Sequence, residues 1–67
     1  MSRTIELRDI NTGQVLGSKK VAESTTAAYR LQAARDLAAK NGIDLRDCYA
    51  AETDGKGNGL SQHDLEP

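Results

Sequence analysis

Polar and apolar residues alternate through Thr4-Ile5-Glu6-Leu7-Arg8, the period of a strand with one face on a core and the other in water. Asn11-Thr12-Gly13 follows, with the residue types of a three-residue hairpin loop in which glycine takes the left-handed position. Gln14 to Val21 then reads as the returning strand. Pairing Ile10 with Gln14 sets Leu7 opposite Gly17 and Ile5 opposite Lys19, so that Ile5, Leu7, Val15 and Val21 share the inner face. Gly17 falls among them and leaves space for a helix backbone to approach. A bulge near the turn would shift this register by one and exchange the two faces.

The period changes after Glu23. Ser24, Thr25 and Thr26 offer hydroxyls that can cap the first free amides of a helix. Ala27, Leu31, Ala34 and Ala38 recur at helical spacing, with Ala28 and Leu37 on the flanks, while Tyr29, Ala33, Asp36 and Lys40 lie opposite. Asn41-Gly42 ends the pattern, and Ile43 can fold back on the last turn as in a Schellman motif. This predicts an alanine-rich amphipathic helix over residues 24–41, able to lie close on a sheet. Residues 47–53 supply a third strand of modest β-propensity. A crossover through the helix sets it beside the first strand, giving the order 2-1-3 with the third strand parallel to the first. The expected fold is α+β: a ββαβ domain over residues 1–53, three strands with the helix on one face. Residues 54–67 lack periodicity and read as a flexible, glycine-rich acidic tail.

Composition narrows the class. The chain has 67 residues with no Trp or Phe, enough for one domain with a thin core. One cysteine cannot form an internal bridge, and no long apolar run marks a leader or a membrane span. The expected setting is the cytoplasm, with no contact to a membrane. Residues 1–40 carry a net +3 and residues 41–67 a net −4. Such a split can steer a partner toward one face.

Candidate chemistry is sparse. Asp54-Gly55-Lys56-Gly57-Asn58-Gly59 echoes a calcium loop, but Lys56 stands where an oxygen ligand belongs and Leu65 where a bidentate carboxylate is needed. His63, the only histidine, reads as a solvent-exposed tail residue with no second ligand for zinc. Cys48 reads as a small apolar core residue. Asp44, Asp47 and Glu52 form an acidic group around the third strand, in a domain with little room for an enclosed cleft. Neither an enzyme nor a cofactor site is expected.

With one helix and three strands, one sheet face has no protein layer over it. On this register Leu16 and Tyr49 project there among Arg8, Ser18, Lys20 and Ala51, an apolar anchor inside a charged rim; with the register reversed Tyr49 packs in the core instead. In size, architecture and composition, residues 1–53 resemble small phage-encoded accessory proteins of the anti-CRISPR type. The resemblance rests on no motif and transfers no functional residue. It implies an inhibitor that occupies a surface of a larger host assembly. The expected function is therefore a non-enzymatic protein-binding module, directed at a nucleic-acid-handling complex. Tyr49, Leu16, Arg8 and Lys20 of the sheet and Tyr29 and Arg35 of the helix are its candidate contacts. The alternative is a small nucleic-acid-binding domain that uses the basic hairpin and Lys19/Lys20. Monomer and homodimer are both compatible with the pattern.

Overall fold

The computed structural model describes residues 2–54 and 56–65. Four strands and one helix follow in the order β1 (Ser2–Asp9), β2 (Val15–Ala22), α1 (Ala27–Lys40), β3 (Cys48–Thr53) and β4 (Gly59–Asp64). A 3-10 turn over Leu45–Asp47 precedes β3. The strands form one sheet of order β2-β1-β3-β4, and every neighbouring pair is antiparallel. The class is α+β as expected, with four strands where three were predicted. β4 comes from the segment assigned to a flexible tail.

The direction of β3 is also corrected. It lies beside β1 as predicted but runs antiparallel to it. A helix of fourteen residues rises about 21 Å, which returns the chain to the end of the sheet where β2 began. β3 must then run the same way as β2, and β1 between them opposes both.

In the hairpin, Leu7 pairs with Gly17 and Ile5 with Lys19, as the alternation predicts. Nearer the turn the register shifts, and Arg8 stands opposite Val15. Leu16 is the extra residue of this bulge, so the two apolar side chains exchange faces. Val15 is 44% exposed, whereas Leu16 packs against the core. The turn closes one residue earlier than predicted. The Asp9 amide donates to the Gln14 carbonyl, and the Gly13 amide donates to the Asp9 carbonyl. Gly13 takes φ +75°, the left-handed conformation the turn requires.

Thr26 caps the helix, its hydroxyl accepting from the Tyr29 amide at 3.1 Å. At the other end the Ile43 amide donates to the Ala38 carbonyl and the Gly42 amide to that of Ala39. With Gly42 at φ +67°, this is a Schellman close. The helix lies against β1, β2 and β3. Ala33, Ala34 and Ala38 are buried against Ile5, Leu7, Val21, Cys48, Ala50 and Leu65. The sequence pattern sets Ala33 on the outer stripe, but it is buried and lines a groove with Ser18 and Lys19 of β2. Leu65 is fully buried, so the segment after β4 completes the core.

Candidate functional site

Side chains directly opposite in antiparallel strands share a face, and this rule divides the sheet into two chemical surfaces. On the helix side, Ile5 of β1 stands opposite Glu52 of β3, and Glu52 opposite Ser61 of β4. Glu52 is only 2% exposed, a carboxylate that cannot remain charged there without partners. Arg3 Nη1 donates to its Oε1 at 3.1 Å, and His63 Nε2 lies 2.6 Å from its Oε2. Arg30 Nε, on α1, approaches Oε1 to 2.6 Å as an ion pair without hydrogen-bond alignment. Arg3 also reaches Glu23 at 3.0 Å, and Arg30 Nη1 donates to the Thr25 carbonyl. One carboxylate thus joins β1, β3, β4 and α1. Burial pushes its pKa up, but donation from Arg3 and His63, the Arg30 charge and the Ser61 hydroxyl together hold it below the ordinary value. His63, read from the sequence as solvent-exposed, belongs to this cluster.

Ser61, His63 and Glu52 are the residue types of a nucleophilic triad, but their geometry differs from one. Ser61 Oγ lies 3.1 Å from His63 Nε2, the same nitrogen that meets Glu52 at 2.6 Å. A relay needs the acid on one ring nitrogen and the serine on the other. Here a single nitrogen faces both groups, so it cannot accept from the hydroxyl while it donates to the carboxylate. The cluster is a clamp between elements. Cys48 is buried, with its Sγ 3.5 Å from the Asp44 carbonyl. Burial, then the charges of Asp47, Asp44 and Asp9, push its thiol pKa up, against thiolate formation.

The apparent calcium loop closes the β3–β4 hairpin. Asp54 Oδ1 accepts from the Lys56 amide at 2.7 Å and the Asn58 amide at 3.2 Å. Its Oδ2 accepts from Asn58 Nδ2 at 2.9 Å. The carboxylate oxygens that would face an ion are engaged by the chain itself, and Asn58 and Lys56 donation holds the Asp54 pKa down. Among the described residues no group of three or more His, Cys, Asp or Glu side chains could hold a metal.

Among the described residues, no helix covers the opposite sheet face. Its side chains stand in rows that cross all four strands. One row is Val15, Arg8, Tyr49 and Asp64, and the next is Ser18, Glu6, Ala51 and Gln62. Lys20, Thr4 and Thr53 begin a third. Arg8 is fixed in its row. Its Nε and Nη2 donate to Glu6 Oε1 at 3.2 and 2.7 Å, and its Nη1 donates to the Gly13 carbonyl at 3.2 Å. Donation to the Glu6 carboxylate raises the Arg8 pKa against the effect of burial, with a smaller contribution from Tyr49. Tyr49 is half-buried, and its hydroxyl rests near Gly13. An open depression of about 440 Å³ lies beside Tyr49, lined also by Ile10, Gln62, His63 and Asp64. A second, of about 370 Å³, is lined by Arg8, Ala51, Thr53, Leu60 and Gln62 among others.

The six sequence-predicted contacts therefore separate. Arg8, Tyr49 and the exposed Lys20 share the open face. Leu16 does not: the bulge turns it into the core, and Val15 takes its place beside Arg8. Tyr29, 51% exposed, and Arg35, half-buried, belong to α1 on the other side of the sheet. Lys19 and Lys20, adjacent on a strand, project to opposite faces, so the hairpin gives no continuous basic strip. Sequence reasoning missed Val15, Gln62 and Asp64. The Asp54–Asn58 turn chemistry was the signal that could have marked β4 as the second arm of a hairpin.

No helix among the described residues is long and apolar enough to cross a membrane. Family models, curated proteins and solved structures were each compared with the chain, and none matches.

Proposed function

We propose that this chain is a non-enzymatic protein-binding module whose open sheet face docks on a larger, nucleic-acid-handling assembly and blocks one of its surfaces. The observation that carries this reading is the row Val15-Arg8-Tyr49-Asp64, which crosses the uncovered face with an aromatic ring next to a fixed guanidinium. A tyrosine loses little rotamer freedom on docking and offers a broad contact with a polar tip. Arg8 is already held by Glu6 and the Gly13 carbonyl, so little ordering cost remains for it. Asp64 ends the row and Lys20 stands two rows away on the same face, opposite charges that orient a partner more than they add affinity. Blocking by coverage needs shape and charge alone.

The test is quantitative affinity capture from the native host with the wild-type chain, Tyr49→Ala and Arg8→Ala. Tyr49→Ala is expected to weaken capture of a defined partner by about tenfold or more, the scale of an interface anchor, with the circular dichroism spectrum unchanged. Equal capture by both variants would overturn the reading. Titration of duplex and single-stranded DNA at two salt concentrations is expected to show no appreciable binding. Tight binding with a steep salt slope would instead favour direct phosphate contact.

A further inference from the structure

The sheet ends on β2 at one side and on β4 at the other, and the two margins differ in chemistry. A strand at a sheet edge presents unpaired amides and carbonyls to any chain that can pair with them. Beside the β2 edge runs a groove of about 280 Å³ between strand and helix, lined by Ser18, Lys19, Ala33, Asp36, Leu37 and Lys40. Ala33 is buried and Leu37 partly so, which makes part of the lining small and apolar. Lys19 and Lys40 supply cations from the two walls. Among the described residues Asp36 is the one carboxylate of this lining, and it accepts from Gln32 Nε2 at 3.0 Å along the helix. Lys20 adds a further cation on the other face of the same strand.

We infer that the β2 edge and its groove capture an extended acidic segment of a partner protein as an added strand. Such a segment would direct alternate side chains into the groove and to the open-face side. An apolar residue then meets Ala33 and Leu37, and flanking carboxylates meet Lys19 and Lys40 on one face and Lys20 on the other. The same charges disfavour a second copy at this edge, because two β2 strands paired by a twofold axis would bring their lysines together. The β4 edge carries Asp64 and no Lys or Arg from Gly59 to Asp64, so it repels the segment that β2 attracts. This surface does not include Tyr49 and shares Ser18 and Lys20 with the docking face proposed above.

The experiment uses the full chain labelled with nitrogen-15 and two end-capped pentapeptides, each with a central leucine. One has two glutamates on either side and the other two lysines. The glutamate peptide is expected to shift the amides of residues 16–20 and 33–40 saturably. The lysine peptide leaves them in place. Combining Lys19→Glu with Lys40→Glu should weaken the glutamate peptide at least tenfold, whereas Tyr49→Ala leaves its affinity unchanged. Equal binding of both peptides, shifts centred on residues 59–64, or no saturation at millimolar peptide would overturn the inference. Loss of glutamate-peptide binding in Tyr49→Ala would also do so, since it would assign the peptide to the open face.

Discussion

Glu52 shows how little of a buried charge can be read locally. In the sequence it belongs to an acidic group with Asp44 and Asp47, and nothing nearby distinguishes it. Its partners Arg3 and His63 are 49 and 11 residues away, so only the assembled sheet brings them together. Glu52→Gln would remove the charge that Arg3, His63 and Arg30 surround and is expected to cost about 3 kcal/mol, the scale of breaking one side of a buried ion pair. Urea denaturation at neutral pH measures this. The same group sets an acid dependence. Its folded-state pKa lies below the ordinary value of 4.5, so in that interval the unfolded chain binds a proton that the folded chain does not. Stability conferred by Glu52 is therefore complete above about pH 4.5 and is lost as pH falls toward the folded value. Denaturation midpoints between pH 6 and pH 3 should fall more steeply for the wild type than for Glu52→Gln. Parallel profiles would place the acid response elsewhere. The strand pattern alone leaves the face of Tyr49 open, and pairing with Arg8 puts it on the uncovered one. Leu16 leaves that face because a one-residue bulge reverses its side.

Among the elements, α1 is the most legible because its signals are local. The Thr26 cap, the alanine spacing and the Gly42 stop all lie within the segment they control. Gly42→Ala must hold φ +67° with a side chain and is expected to lose about 1 kcal/mol. Gly17 differs. A methyl group there would meet Asn41 Nδ2 at 3.5 Å and Leu37 Cδ2 at 4.0 Å, both ordinary contacts. Gly17→Ala should therefore leave the melting temperature close to wild type, and the close approach that its position suggested is not what retains the glycine. β4 was illegible for a physical reason: an edge strand with polar, partly exposed positions on both faces shows no amphipathic period. Its anchor is Leu65, fully buried beyond the strand. Leu65→Ala is expected to cost about 2–4 kcal/mol, read from thermal or urea unfolding. A change within experimental error would mean that residues 59–65 do not complete the core.

For the whole molecule, the sequence supports the layer count, since one helix can cover only one side of the sheet, and it supports the neighbours of the first three strands. Strand direction depends on how far the helix carries the chain, which a propensity pattern does not specify. The candidate contacts were gathered from both layers of the molecule, and the fold divides them between the open face and α1. The proposed docking surface is the one that spans four strands and centres on Arg8 and Tyr49. Photo-crosslinking in the native host tests this most directly, with a benzophenone amino acid placed at position 62 on the open face or at position 29 on the helix. A discrete adduct with one partner protein from position 62, weak or missing from position 29, is the predicted result. Adducts from position 29 alone, or none from position 62, would contradict docking through the open sheet face.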